Sequence, residues 1–182
     1  MRKHSVMAMA FVALGFLSMG AQAEGQQFRG MDKTAFERRN AAAAYAGTLK
    51  FAVGRAALLC RNALGRDDQY MHAIADEWTQ RNLRYAVAAE RWSTMVVMAV
   101  DQASGRDAAL RARDQILDTV TREGVRAAEQ MVGAEPQVRK LKCESLAGTV
   151  SNGTLDIKEN ARLYQELQEL VSTFEQPKAA AQ

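Results

Sequence analysis

The sequence predicts an all-α protein: about five helices in a mostly up-and-down bundle, joined by one disulfide bond between Cys60 and Cys143. Three observations support this prediction. Apolar residues recur at intervals of three and four along most of the chain, which is the period of an amphipathic helix. No stretch shows the alternation of a strand. The chain begins with an export signal and contains an even pair of cysteines, which together favour a disulfide.

Residues 1–23 have the features of a secretory signal peptide. Arg2 and Lys3 form a basic start, residues 6–19 are uncharged and mostly apolar, and small residues precede a cleavage site after Ala23. Because the apolar run is too short to span a bilayer comfortably, a cleaved signal is favoured over an uncleaved anchor. We therefore expect a periplasmic or secreted protein with no integral membrane span after cleavage.

Cleavage leaves a mature chain that is close to neutral. It removes Arg2 and Lys3 from the 24 basic residues and no acidic residue, so 22 basic residues remain against 21 acidic ones. A polyanion binder needs clustered positive charge, and nucleic acid is therefore not an expected partner. The mature length suits one core. We expect a flexible arm at 24–31, a single helical bundle domain at 32–174 and a disordered tail at 175–182.

The two cysteines both belong to the mature chain. In an oxidising compartment Cys60 and Cys143 are most simply one disulfide, which would stabilise the fold by roughly 4–5 kcal/mol on the chain-entropy model. Free buried thiols and a redox pair are the alternatives. The absence of Cys-x-x-Cys spacing argues against the redox pair.

The first helix is predicted to start near Asp32–Thr34 and to run to about Leu64. Lys50 and Arg55 are the only charged residues between positions 41 and 60, and apolar residues occupy two of its sides. A helix that is apolar on two sides is typical of a central position between neighbours. A membrane span is the competing interpretation, and the two charges and many alanines argue against it.

The second helix is predicted as one long element over Asp67–Val100. Trp78, Tyr85 and Trp92 are spaced seven apart, so they share one face of such a helix. A short turn near residue 66 makes the first two helices antiparallel neighbours.

Pairing of these two helices about the turn places two glycines of the first helix opposite aromatic rings of the second. Gly54 would face Trp78, and Gly47 would face Tyr85. Room for a ring is a physical reason to accept glycine inside a helix, where it costs about 0.5–1 kcal/mol relative to alanine.

Three further helices complete the prediction. The third is capped by Asp107 and runs to about Val132, the fourth covers Pro136 to Ser151, and the fifth opens at Asp156 and ends near Phe174. Apolar positions are predicted to lie on their buried sides. In the third and fourth helices these positions are Leu110, Leu117, Val120, Gly124, Ala127, Met131, Val138, Leu141, Leu146 and Val150.

The residues offer little catalytic chemistry. His72 is the one histidine left after export, and two bridged cysteines would provide no further metal ligands, so we expect no metal, no cofactor and no enzyme activity. Arg81 and Asn82 lie at the aromatic stripe and have two interpretations. One is a structural network, with Glu77 pairing with Arg81 and a backbone carbonyl accepting from Asn82. The other is a small polar pocket with aromatic walls.

Five of these residues also define a pattern: Cys60, then Trp78-x-x-Arg81-Asn82, then Cys143. This pattern resembles a loose class of small exported all-helical proteins of Gram-negative bacteria. The resemblance implies a disulfide-bonded bundle in the periplasm or outside the cell, and it implies no assigned activity.

The leading functional hypothesis is a non-enzymatic periplasmic protein that binds another envelope protein, as an inhibitor, an immunity-type partner or an accessory factor. The alternative is a carrier of a small molecule or lipid that uses the Trp78, Tyr85 and Trp92 face. A cavity lined by those rings would favour the carrier, and a filled core beside an exposed apolar patch would favour protein recognition. A hydrolase would require clustered carboxylates, for example around Asp76 or Glu77.

Overall fold

The computed structural model describes residues 32–159 and 161–175, and this part of the chain contains helices and no strand. The prediction of an all-α fold is confirmed. The predicted signal peptide and arm lie outside the described residues, as does the predicted tail beyond Glu175. The elements are α1 Lys33–Leu64, α2 Asp68–Arg81, α3 Leu83–Ser104, α4 Arg106–Val132, α5 Pro136–Ser151, a short 3₁₀ helix Ile157–Glu159, and α6 Ala161–Glu175.

The described residues form six α-helices, not five, because the long helix predicted over Asp67–Val100 is interrupted. α2 ends at Arg81 and α3 begins at Leu83, with Asn82 between them at φ −109° and ψ 11°. Apolar periodicity runs unchanged through the interruption, so the spacing of the aromatic residues did not indicate it. The reason for the break is that the Asn82 side chain bonds to a distant loop.

The ends of the first helices follow local chemistry. Asp32 caps α1, its carboxylate accepting from the Ala35 amide at 3.2 Å, and Asp67 caps α2 by accepting from the Tyr70 amide at 3.1 Å. The prediction that Asp107 caps the third predicted helix, which is α4 in the structure, is wrong. α4 begins at Arg106, and Asp107 lies in its first turn. A carboxylate at that position still stabilises the helix by its attraction to the positive end of the helix dipole.

α1 occupies the centre of the bundle and packs against every other α-helix, as its two apolar sides predicted. Its longest contact is with α4, and the two helices run in the same direction. Gly47 lies beside Val120 and Phe51 lies beside Gly124, so residue numbers increase in the same direction along both helices. Alanine and glycine at this contact allow the two helix axes to approach closely.

Two legs of the bundle are each made of two helices. α2 and α3 form one leg, interrupted at Asn82, and α5 and α6 form the other, interrupted between Ser151 and Ala161. Arg81 contacts the carbonyl of Val150, which puts the two interruptions side by side. The chain therefore runs up in α1, down in α2 and α3, up in α4, and down in α5 and α6.

The predicted glycine–aromatic pairs do not form. Nothing lies within 4 Å of the position of a Cβ atom on Gly54, and the neighbour of Gly47 is Val120 of α4. The prediction assumed that these glycines face α2 and α3. A glycine does accommodate a ring in this fold, and it is Gly124 of α4, against Phe51 of α1.

Replacing Gly124 by alanine should lower the free energy of unfolding by about 1–2 kcal/mol, because the new Cβ would lie 2.5 Å from Cδ1 of Phe51. Gly54→Ala is the matched control. That site is helical and open, so the exchange should stabilise the protein by about 0.5–1 kcal/mol. Urea unfolding followed by circular dichroism measures both changes, and equal effects at the two sites would contradict the packing of α1 on α4.

The buried sides of α4 and α5 differ from the predicted ones. Gly124, Ala127, Leu146 and Val150 are buried as predicted. Small residues near the start of α4 (Ala108, Ala109 and Ala112) face inward in place of the leucines there, since alanine allows α4 to lie close to its neighbours. The predicted core positions that the structure exposes are Leu110, Leu117, Val138 and Leu141.

Cys60 and Cys143 form the predicted disulfide, with an S–S distance of 1.94 Å and a Cα–Cα distance of 5.1 Å. It joins the last turn of α1 to the middle of α5, and both residues are fully buried. Among the described helices, none combines the length and apolar character that a bilayer crossing requires.

Candidate functional site

The residues singled out by sequence lie in α2, in α3 and at the junction between them, and three of them bind the segment that links α5 to α6. The indole Nε1 of Trp78 donates to the Leu155 carbonyl at 2.8 Å. Nη1 of Arg81 donates to the carbonyls of Val150 and Ser151 at 2.7 and 2.6 Å. The Ser151 carbonyl lies at the end of α5, where no helical amide can reach it, so the guanidinium acts as a C-terminal cap.

Asn82 completes this contact from inside the core. Its Nδ2 donates to the Trp78 carbonyl at 2.9 Å and to Oδ1 of Asp156 at 3.2 Å, and its Oδ1 accepts from the Ile157 amide at 2.9 Å. The side chain is only 1% exposed. Both amide protons and the carbonyl oxygen therefore have partners, which a buried amide requires.

Asp156 is the acidic partner in this cluster. Its Oδ2 accepts from Nη2 of Arg81 at 2.7 Å, and Asp156 is buried. The sequence suggested that Asp156 opens the last helix and that Glu77 pairs with Arg81. The structure instead pairs Arg81 with Asp156, and Glu77 accepts from the hydroxyl of Ser151 at 3.0 Å.

Gly153 allows the linking segment to approach the guanidinium. Its φ is +80°, a conformation that favours glycine, and a Cβ atom there would collide with Nη2 of Arg81 and with Asp156. We name Trp78, Arg81, Asn82, Gly153 and Asp156 the interruption cluster. Its geometry supports the structural interpretation of the polar residues, because their hydrogen-bonding groups are used within the fold.

Tyr85 belongs to a separate contact between α3 and α6. Its hydroxyl donates to the hydroxyl of Tyr164 at 3.0 Å, with ring centroids 5.5 Å apart in an edge-to-face arrangement. Burial, together with that donated hydrogen bond, raises the pKa of Tyr85 to about 12. The phenol therefore stays neutral at any physiological pH and acts as a hydrogen-bond donor.

Trp92 faces α1, where its Nε1 donates to Oδ1 of Asn40 at 2.7 Å. The ring of Phe36 packs on it with centroids 5.8 Å apart, and the guanidinium of Arg39 lies 5.9 Å from the ring centroid. The three predicted aromatic residues thus contact three different parts of the bundle. The interruption at Asn82 lies between Trp78 and the other two rings, and a carrier role for these three residues stays a prediction.

Trp92 also borders a cavity. The cavity has a volume of about 230 Å³ and lies between α1, α3 and α4. Its interior is mostly alanine with branched aliphatic side chains, and Lys50 and Glu90 stand at its rim.

An exposed apolar stripe follows the outer face of α3. Leu83, Val87 and Met98 are 53%, 37% and 46% exposed, and their spacing places them on one side of the helix together with Thr94. Glu90 and Arg91 lie at the middle of the same face. We call this surface the α3 stripe.

The two acidic residues suggested for hydrolysis, Asp76 and Glu77, lie on the surface of α2. No group of three or more His, Cys, Asp or Glu side chains in the described part of the chain is arranged to hold a metal ion. The sequence placed Tyr164 on the buried side of the last helix but did not indicate its contact with Tyr85, and it indicated neither Asn40 nor the role of Asp156. Of these last two, only Asp156 left a signal, since an aspartate after a Ser-Asn-Gly turn was recognised as a helix start.

Comparison with known proteins adds no relative: no family model, no curated protein and no solved structure matches the chain.

Proposed function

We propose that this chain is an exported, non-enzymatic periplasmic protein that binds another envelope protein through the α3 stripe. The observation that supports the proposal is the row of exposed apolar side chains at Leu83, Val87 and Met98. Clustered apolar groups on a surface are typical of protein recognition sites. An inhibitor, an immunity-type partner and an envelope accessory factor all fit this description.

The stripe has the composition of a surface that binds a helix or a groove. Apolar residues lie toward its two ends, and Glu90 and Arg91 supply one charge of each sign at its centre. Charges of this kind contribute orientation and specificity more than affinity. Met95 and Phe174, together with residues of the stripe itself, line a shallow groove of about 420 Å³ that would extend the contact area.

The interior of the protein supports the same proposal. The interruption cluster joins two legs of the bundle, and the disulfide joins α1 to α5, so the helix that carries the stripe rests on a cross-linked scaffold. Preorganisation of this kind lowers the entropic cost of binding. The disulfide also fits the oxidising compartment into which the predicted signal peptide would deliver the chain.

Site-specific photo-cross-linking in the intact periplasm tests the proposal. A photoreactive side chain at Val87 should yield one dominant adduct with a second protein, identified by mass spectrometry. The same group at Thr121, an exposed polar position on α4, is the matched control and should yield none. An adduct of twice the chain's own mass, or equal labelling at both positions, would contradict an envelope partner on this stripe.

The charge variant Val87→Asp provides an independent measure. It should reduce partner recovery in affinity capture by about tenfold, since it places a carboxylate in the apolar part of the contact that Val87 forms with Leu83. Thr121→Asp should leave recovery unchanged. Both positions are exposed, so thermal unfolding should occur at the same temperature in the two variants and the parent.

A further inference from the structure

The cavity between α1, α3 and α4 is a second candidate binding site, with apolar walls and one buried polar residue, Asn40. It is separate from the interruption cluster, and its volume is about 230 Å³. Alanines of α1 and α3 form its floor, and Val96, Ile116 and Val120 form apolar walls with the Trp92 ring at one side. Open apolar spaces of this size take up small molecules: a cavity of about 150 Å³ holds benzene.

One polar group of the cavity is built into its wall. Asn40 is 5% exposed, and its carbonyl oxygen accepts from the indole Nε1 of Trp92. That hydrogen bond fixes the orientation of the amide. Among the residues that the structure describes, Nδ2 of Asn40 donates to no acceptor, and it is not fully enclosed by the fold, so it can donate to a molecule in the cavity that Asn40 lines. The site thus offers one oriented hydrogen-bond donor within apolar walls.

The rim of the cavity selects against net charge in a ligand. Lys50 and Glu90 are both exposed at the rim and carry opposite charges. Their fields largely cancel for a molecule that lies between them, and screening by salt reduces what remains. A charged ligand would lose hydration in the apolar interior without a matching counter-charge.

We propose that this cavity binds a small neutral molecule with an apolar body and one hydrogen-bond acceptor directed at Nδ2 of Asn40. Scaling from benzene in about 150 Å³, the volume accommodates about nine non-hydrogen atoms. A ligand of this size binds with a Kd on the order of 0.1–1 mM. This small-molecule site would be present in addition to the proposed protein-binding surface, the α3 stripe. The proposal of the cavity ligand does not depend on the function proposed for the stripe.

Titration of the ¹⁵N-labelled mature protein with three probes tests the site. Acetophenone has nine non-hydrogen atoms and one carbonyl acceptor, ethylbenzene lacks the acceptor, and benzoate carries a charge. Acetophenone should shift the Asn40 side-chain amide and the Trp92 indole N–H in a saturable manner. Ethylbenzene and benzoate should each bind about five- to tenfold more weakly, since a hydrogen bond or a desolvated charge accounts for that difference. Equal binding of all three probes would overturn the proposed ligand class.

A pair of variants localises the binding. Ala44 and Ala41 are both half-buried alanines on α1, and only Ala44 lines the cavity. Ala44→Phe should fill the entrance and weaken acetophenone binding at least tenfold, whereas Ala41→Phe should leave it unchanged. Unaltered binding in a folded Ala44→Phe protein, or the absence of saturable shifts in the parent protein, would overturn the site.

Discussion

Removal of the Cys60–Cys143 disulfide should lower the free energy of unfolding by about 4 kcal/mol. The bond closes a loop with a sequence separation of 83 residues, and on the chain-entropy model a loop of that length contributes about 4–5 kcal/mol by restricting the unfolded state. The double variant Cys60→Ala/Cys143→Ala is preferred to a single one, since it leaves no unpaired thiol. Urea unfolding of the oxidised parent and of the double variant gives the difference.

Reduction of the parent protein is the control for that experiment. The reduced parent should lose nearly the same stability as the double variant, because both lack the cross-link while one of them retains the two sulfur atoms. A loss below about 1 kcal/mol in both cases would contradict a stabilising role for the bond. A loss in the variant alone would assign the effect to the packing of the replaced side chains.

Replacing Asn82 by alanine should lower the free energy of unfolding by about 2–4 kcal/mol. The substitution leaves the Ile157 amide without its acceptor and Oδ1 of Asp156 without one donor, both in the core. Unsatisfied buried groups cost about 1–3 kcal/mol each, with partial relief where water enters. Thermal or urea unfolding measures the loss.

Asn152 provides the matched control for this substitution. It lies in the same linking segment, but it is exposed, and its side chain accepts from the amide and the hydroxyl of Thr154. Asn152→Ala should therefore cost about 0.5–1 kcal/mol. If Asn82→Ala and Asn152→Ala lose equal stability, Asn82 does not join the two legs of the bundle. Where Asn82→Ala remains folded, photo-cross-linking from Val87 should persist, because the α3 stripe lies outside the cluster.

The class of fold and the disulfide were predictable because each has a local or compositional signal. Apolar residues at helical spacing predict helices, and paired cysteines behind an export signal predict a bridge. The boundaries of α1 and α5 followed from capping residues and from Pro136. The division of the second helix was not predictable in this way. A long-range hydrogen bond from Asn82 to Ile157 interrupts it, and neither apolar spacing nor local propensity reports a partner 75 residues away.

The orientation of α4 shows a second limit. Leu110 and Leu117 outrank alanine in hydrophobicity, so the sequence favours them as core residues. Close approach of helices instead selects small side chains, and Ala112 is buried while Leu117 is 56% exposed. The predicted pairing of Gly54 with Trp78 failed for a related reason. A glycine indicates that a neighbouring helix can approach closely, but it does not indicate which helix does so.

The candidate site was predictable in its residues and not in its arrangement. Trp78, Arg81 and Asn82 do act together, and their partners come from a segment that composition marks only as a turn. Tyr85 and Trp92 follow at the same spacing along the chain, yet they belong to contacts with α6 and α1. The seven-residue spacing of Trp78, Tyr85 and Trp92 therefore identified buried positions correctly. Its interpretation as one face assumed a continuous helix, and the structure interrupts that helix at Asn82.

Hydrogen exchange at the Ile157 amide tests most directly whether Asn82 joins the two interrupted legs of the bundle. This amide donates to a buried side chain, so it should exchange only through large-scale unfolding, at least a thousandfold more slowly than the Thr154 amide, which donates to the exposed side chain of Asn152. Exchange of both amides at similar, rapid rates in the native protein would contradict the account, because the linking segment would then open without disturbing α2 and α3.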